Sequence, residues 1–138
     1  MRKTRPPGHV PGGGLCYRAG GIWVIERKEN SKCIGTIDIR VDPEHDKSGF
    51  GYVLNRSYWH KGYMTEALSA VVRLCFDELK VNRVESFHYI GNEGSGKVMQ
   101  KCGLRFEGIS EQEVKIKGVF RDVARYGMTM EHWRASRA

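Results

Sequence analysis

The sequence lacks the long apolar run, the paired cysteines and the secretory leader that mark several large classes of protein. No stretch approaches the roughly 20 apolar residues that a membrane-spanning helix needs. Its four cysteines form no C-x-x-C pair and have no pair of histidines nearby, so we expect no metal. The first residues are basic and contain no apolar core of a signal peptide. We therefore expect a cytoplasmic protein that neither binds zinc nor enters a membrane.

Acidic residues are absent from positions 1–21, which hold four basic residues, three of the four prolines and six of the seventeen glycines. Such a segment cannot bury enough apolar surface to offset the entropy of ordering it. We predict a flexible basic tail at 1–21 and one domain at 22–138. The tail supplies +4 of the formal net charge of +7, which leaves only +3 for the domain. Nucleic-acid binding is therefore not expected.

The domain alternates between strand-like and helix-like segments. Runs of β-branched and alternating apolar residues predict strands at 22–27, 33–40, 50–54, 84–90, 104–109, 113–117 and 122–130. Apolar residues at three- and four-residue steps predict helices at 65–79 and about 95–101. This order predicts an α/β (α+β) fold in which helices cover a mixed sheet.

The segment GNEGSGKV at 91–98 imitates a nucleotide-binding loop. Gly91, Gly96 and Lys97 have the spacing G-x-x-x-x-G-K, but Val98 stands where that loop needs Ser or Thr to hold Mg²⁺. We therefore do not expect an ATP site. The segment VLNRSYWHKGYMTEAL is a better phosphate site, because a strand turns at Gly62 into the long helix, whose first N–H groups attract pyrophosphate.

Five segments follow one another between about residues 22 and 133: GYVLNRSYWHKGYMTEAL, NRVES, NEGSGKVMQKCGL, FEG and KIKGVFRDVARYGM. Together they resemble the GNAT acetyltransferase superfamily, specifically its RimJ/RimL-like branch. The resemblance implies a GNAT-like, mostly antiparallel sheet, acetyl-CoA as the donor and a primary amine as the acceptor. Family members normally begin with a strand and two helices that wall the acceptor pocket. Here the tail takes their place, so we expect that strand and those helices to be lacking.

The resemblance also implies site residues. WHKGYM matches the pyrophosphate loop of the family, with Met64 in place of Gly or Ala, and the phosphates would meet the backbone amides of Lys61, Gly62, Tyr63, Met64 and Thr65. Val53 and Leu54 would offer free backbone N–H groups to the acetyl carbonyl. Asn92 and Ser95 match the motif N-x-x-S, in which Asn92 would contact the CoA arm and Ser95 would lie near the thioester sulfur.

The sequence does not decide which groups give and accept the protons of the reaction. Many family members protonate the leaving thiolate with a Tyr where this chain has Met99, so Ser95 is the remaining candidate, directly or through water. The alternative for Ser95 is a purely structural helix N-cap. For the general base, His88, His60 and water remain as candidates.

The acceptor is also open. Glu111 stands where the branch usually has Arg, so a protein N-terminal α-amine and a small amine both remain. A different class of function is a catalytically weak CoA-binding or assembly module, which the missing acceptor half and Met99 favour. A shortened sheet edge would favour a homodimer that completes the site.

Overall fold

The computed structural model describes residues 15–18, 22–27, 29–91 and 93–137. Its strands are β1 Leu15–Arg18, β2 Ile22–Glu26, β3 Cys33–Asp42, β4 Lys47–Leu54, β5 Arg83–Tyr89, β6 Arg105–Ile116 and β7 Val119–Thr129. Its helices are α1 Tyr63–Asp77, α2 Glu93–Lys101 and α3 Met130–Ser136, with a short 3₁₀ turn at Arg56–Tyr58. The two predicted strands at 104–109 and 113–117 are one long strand, β6, whose pairing with β7 is interrupted by irregularities of register.

The described strands form one sheet in the order β1-β2-β3-β4-β5-β7-β6. Every neighbouring pair is antiparallel except β4 and β5, which run parallel and are connected along the chain by α1. A parallel pair needs a long crossover, and α1 supplies it. The predicted fold class, a mixed and mostly antiparallel sheet covered by helices, is confirmed.

Part of the predicted tail belongs to the sheet. Leu15–Arg18 form β1, in which Leu15 lies opposite Ile25 and Arg18 lies opposite Ile22. The prediction of a flexible tail is therefore wrong for these residues, as is the expectation that no strand precedes residue 22. The free edge of β2 offers unpaired N–H and C=O groups. Pairing with these groups orders a short segment that its own composition would not order. The rest of 1–21 lies outside the described residues.

The helices share one buried cluster with one face of the sheet. On α1 the residues Leu68, Val71 and Cys75 are fully buried, because apolar side chains recur at three- and four-residue steps. The rings of Phe76 on α1 and Trp133 on α3 stack with centroids 5.2 Å apart. None of the helices in the described part of the chain has the length and apolar content needed to cross a bilayer.

Strands β4 and β5 separate after three paired positions. Lys47, Ser48 and Gly49 face Arg83, Val84 and Glu85, and the two strands do not pair beyond that point. From there β4 remains paired with β3 as far as Leu54, while β5 remains paired with β7 as far as Tyr89. A gap therefore opens between β4 and β5 toward their carboxyl ends, and α1 begins beyond one strand and α2 beyond the other.

Candidate active site

The turn between β4 and α1 presents backbone N–H groups without acceptors in the helix. Gly62 is the N-cap of α1 in the left-handed conformation (φ 82°) and has no side chain to accept from the first turn. The first bond of the helix runs from the Glu66 N–H to the Gly62 carbonyl at 3.0 Å. The N–H groups of Tyr63, Met64 and Thr65 precede that bond, so they are available to an anion. These are three of the residues predicted to meet the phosphates.

The side chain of Met64 does not crowd this turn. It is 5% exposed and belongs to the buried cluster under the sheet. A larger residue than Gly or Ala is therefore accommodated in the core at this position. The departure from the motif leaves the phosphate side of the turn open.

Positive charge surrounds one aromatic ring beside the turn. The guanidinium of Arg27 lies 5.4 Å from the centre of the Tyr58 ring, and the ammonium groups of Lys32 and Lys61 each lie 5.9 Å from it. Glu29, whose carboxylate is 3.4 Å from Arg27, offsets part of this charge. Glu66 in the first turn of α1 and Glu26 add further negative charge nearby, so the attraction for a phosphate-bearing ligand rests on the helix terminus and on the cations at the Tyr58 ring.

The register of β4 decides which backbone N–H groups face the gap. The N–H of Asn55 donates to the Ile34 carbonyl at 2.7 Å, so it points toward β3. Because N–H groups alternate sides along a strand, Val53 also donates toward β3, opposite Thr36, while Leu54 and Tyr52 point their N–H groups toward the gap. Val53 is therefore not the donor that the resemblance implied, whereas Leu54 has the required direction.

Ser95 lies at the open end of the gap, inside the helix. Helix α2 begins at Glu93, two residues earlier than predicted, and Ser95 is its third residue. The interpretation of Ser95 as the N-cap is therefore wrong. Its carbonyl accepts a hydrogen bond from the Tyr52 hydroxyl at 2.9 Å. Asn92 lies outside the described residues, so its role stays a prediction.

Met99 and the two candidate histidines occupy different environments. Met99 is 1% exposed on the buried side of α2, so the position at which the resemblance led us to look for a Tyr belongs to the core here. His88 is 6% exposed, with Nδ1 3.0 Å from the Tyr89 carbonyl and its ring beside that of Tyr126. His60 is exposed in the turn between β4 and α1 (φ 61°). Neither imidazole combines access with a place in the gap.

Among the residues that the structure describes, one cluster of candidate metal ligands lies in the turn between β3 and β4. Ligand atoms of Asp42, Glu44 and His45 lie within 4.8 Å of one another, and the residues are half-buried or exposed. His45 Nδ1 and Asp42 Oδ2 are 3.0 Å apart, and that contact lowers the pKa of the Asp42 carboxyl. The cluster has the contacts of an ordinary solvated turn, since its members bond to one another.

Tyr52 is the residue that sequence reasoning missed. Its hydroxyl joins β4 to α2 across 43 residues of sequence. The available signal was the alternation in β4, which places a hydroxyl-bearing side chain on the same face as the buried Phe50. A polar group on a core-facing position needs a partner, but the sequence does not name that partner.

Comparison with known proteins gives a consistent picture. Residues 15–105 match the family described as the acetyltransferase (GNAT) domain. The chain is 44% identical over 72 residues to "Probable N-acetyltransferase YjcK" of Bacillus subtilis, covering 52% of this chain and 40% of that protein. It is 28% identical to the [ribosomal protein uS5]-alanine N-acetyltransferase of Escherichia coli, covering 63% of this chain and 45% of that enzyme. A crystal structure of a GNAT-family acetyltransferase from Bacillus anthracis superposes with a TM-score of 0.75 at 25% identity, covering 80% of this chain and 67% of that one.

The chain is shorter than these relatives. It spans 40% of the YjcK protein and 45% of the E. coli enzyme. The region that matches the family extends from β1 to the start of β6, so it includes β4, the turn before α1, α1, β5 and α2.

Proposed function

Because the chain belongs to the GNAT acetyltransferase family, we propose that it transfers the acetyl group of acetyl-CoA to a primary amine by direct attack in a ternary complex. The observation that carries the proposal is the gap between β4 and β5, which opens between two helix N-termini. One strand edge of that gap presents the Leu54 N–H, and the turn beside it presents the free N–H groups of α1. A thioester with a phosphorylated tail fits such an arrangement.

The donor side has a role for each residue. The N–H groups of Tyr63, Met64 and Thr65 would hold the pyrophosphate, with Lys61 adding positive charge. The Leu54 N–H would stabilise the oxyanion that forms when the amine attacks the thioester carbon. Ser95 would return a proton to the departing thiolate, directly or through water.

The proton of the attacking amine requires a separate route. His88 is buried, and His60 lies in the turn that is proposed to bind the pyrophosphate, so neither is placed to take this proton. We therefore propose water that leads to solvent as the acceptor of this proton. Positioning of the amine against the thioester would supply much of the remaining rate enhancement.

The acceptor class rests on the relatives. The E. coli relative acts on an alanine of ribosomal protein uS5, and spermidine N-acetyltransferases share the fold at 18–19% identity. A protein N-terminal α-amine and a small amine are both proposed acceptors. A second candidate function, a catalytically weak CoA-binding module, is favoured by the buried Met99. We also propose a cytoplasmic homodimer that completes the site, which sedimentation velocity would test.

Acetyl-CoA binding is the first test, and Gly62→Asp is the informative variant. Asp tolerates the left-handed conformation of Gly62, and a Cβ there meets no atom within 4 Å, so the fold should persist while a negative charge faces the phosphates. We expect the Kd of acetyl-CoA by calorimetry to rise at least about 10-fold.

The matched control is Gly118→Asp in the turn between β6 and β7. Gly118 has φ 81°, against 82° for Gly62, and also has open space for a Cβ. The same negative charge is thus added at the same backbone conformation, but away from the turn that is proposed to bind the pyrophosphate. An equal loss of acetyl-CoA affinity in both variants would show that the turn at Gly62 is not part of the binding site.

Turnover then separates the two candidate functions. Release of free CoA thiol would be followed with a panel of peptide α-amines and polyamines. Amine-dependent release supports the acetyltransferase, whereas tight acetyl-CoA binding without release from any amine supports the binding module. Absence of saturable acetyl-CoA binding contradicts both.

A further inference from the structure

Tyr52 connects the two sides of the gap between β4 and β5. Tyr52 belongs to β4 and lies opposite Ile37 of β3. Its ring stacks against that of Phe50 with centroids 6.4 Å apart. Its half-buried side chain crosses to α2, where the hydroxyl donates to the Ser95 carbonyl at 2.9 Å. The ring is held by the core while its polar end reaches the first turn of the helix.

This bond spans the open end of the gap. At the closed end the Ser86 hydroxyl of β5 donates to the Phe50 carbonyl of β4 at 2.6 Å. Beyond that point no backbone pairing joins β4 to β5 among the described residues. The Tyr52 hydroxyl therefore links β4 to α2 in the region where the sheet itself no longer does.

The same stretch of β4 carries the proposed oxyanion donor. The N–H of Leu54 faces the gap two residues beyond Tyr52, and Ser95 is the residue whose carbonyl Tyr52 holds. One side chain thus links the strand that carries the proposed oxyanion donor to the residue proposed to protonate the thiolate. If this link is removed, the first turn of α2 can shift relative to β4, and catalytic geometry is sensitive to displacements of about 1 Å.

We propose that Tyr52 is a positioning residue of the transferase site, which holds Ser95 at a fixed separation from the Leu54 N–H. This inference rests on the proposed function and deepens it. Tyr52 does not serve as the proton donor itself, because its hydroxyl proton is already given to the Ser95 carbonyl. Burial also raises the pKa of Tyr52 above its usual value of 10, so the hydroxyl stays protonated and keeps donating at any working pH.

A double-mutant cycle tests this role. Tyr52→Phe keeps the ring and removes the hydroxyl, so we expect kcat to fall about 10-fold while the KM for acetyl-CoA changes less than about twofold. Ser95→Ala removes the side chain and leaves the carbonyl. In the Ser95→Ala background, Tyr52→Phe should change kcat less than about twofold, because there is no hydroxyl left to position. An equal loss of kcat in both backgrounds would overturn the proposal.

Amide hydrogen exchange provides a readout that does not need turnover. We expect Tyr52→Phe to speed exchange in the 93–101 segment about 10-fold, because the first turn of α2 loses its link to β4. Ser86→Ala deletes a hydroxyl-to-carbonyl bond at the closed end that is more deeply buried than the Tyr52 bond, so it should leave exchange in α2 and kcat unchanged.

The outcomes separate this inference from the proposed function. Unchanged exchange in α2 of Tyr52→Phe contradicts the positioning role, whether or not the protein turns over. Faster exchange in α2 together with an inactive wild type supports the structural link and contradicts the transferase proposal.

Discussion

Gly96 explains why the segment at 91–98 looks like a nucleotide-binding loop. A Cβ on Gly96 would lie 2.7 Å from the Tyr126 hydroxyl and 2.9 Å from His88 Nε2, so α2 packs directly on two buried rings. Gly91 has φ 108°, a turn conformation that favours glycine. Lys97 is exposed on α2. The two glycines thus serve a turn and a close helix-to-sheet contact, and phosphate binding is not needed to explain them.

Gly96→Ala should destabilise the protein by about 1–3 kcal/mol, because the added methyl group overpacks a site whose neighbours are buried. Gly94→Ala is the matched control on the same helix, since a Cβ at Gly94 meets nothing within 4 Å. We expect Gly94→Ala to be neutral or to stabilise by up to about 1 kcal/mol through helix propensity. Urea unfolding of both variants checks this. Equal effects would contradict the packing explanation.

At the scale of elements, an ion-pair network joins β4, β5 and β6 on the sheet face away from the helices. Arg83 Nη1 lies 2.8 Å from Glu107 Oε2, and Arg83 Nε lies 2.9 Å from Glu85 Oε1. Lys47 on β4 lies 3.3 Å from the other oxygen of Glu85. A Cβ on Gly127 of β7 would meet the Arg83 guanidinium within 2.7 Å, so that strand leaves room for the network.

The network lowers the pKa of both carboxyl groups. For Glu107 the main cause is its hydrogen bond with Arg83, which partial burial opposes. For Glu85 burial is the largest single influence and acts to raise the pKa, but the bonds from Arg83 and Lys47 together outweigh it. A carboxyl group whose pKa is lower in the folded state stabilises the fold above its unfolded pKa, near 4.5, and loses that contribution as the pH falls through the folded pKa.

Glu107→Gln should therefore reduce the acid sensitivity of the fold. We expect the loss in free energy of unfolding between about pH 6 and pH 3 to be smaller in the variant by about 0.5–1 kcal/mol, a modest figure because solvent screens this partly exposed pair. Glu111→Gln removes an exposed carboxylate from the same strand and serves as the control. Denaturant titrations at the two pH values measure the difference. If both variants respond alike, general charge effects explain it, and the Arg83 network does not.

At the scale of the whole molecule, the candidate site lies where two halves of the sheet meet. β1 to β4 form one half and β5 to β7 the other, and only three paired positions join them through the sheet itself. α1 packs across this junction in the common core. A ligand that fills the gap would contact both halves, so its binding would oppose unfolding of the entire domain.

Acetyl-CoA should raise the thermal unfolding midpoint of the protein. A ligand that binds only the folded state at a hundred times its Kd contributes about 2.7 kcal/mol, which corresponds to a rise of several degrees in a domain of this size. Differential scanning calorimetry with increasing acetyl-CoA measures the shift, and Gly62→Asp at the same ligand concentrations is the control. A midpoint that stays constant in the wild type would contradict binding in the gap.

The sequence was sufficient for the fold class and for most of the local elements, but it did not predict β1 or α3. Apolar steps of three and four residues set the long helix within two residues of α1, because its buried face is encoded in consecutive turns. The turn at Gly62 was equally readable, since a left-handed glycine before a helix is a local feature. The family resemblance supplied the order of the elements, which the fold bears out.

What the sequence left open depends on which distant segments meet. Leu15–Arg18 are a strand only because β2 offers them an edge. Val53 and Leu54 differ in the direction of their N–H groups, which the pairing of β4 with β3 determines. The Tyr52 hydroxyl and the Ser95 carbonyl meet because β4 and β5 diverge and α2 begins at that divergence. Local periodicity thus determined most of the elements, whereas strand register and the meeting of remote backbone groups were decided by the tertiary structure alone.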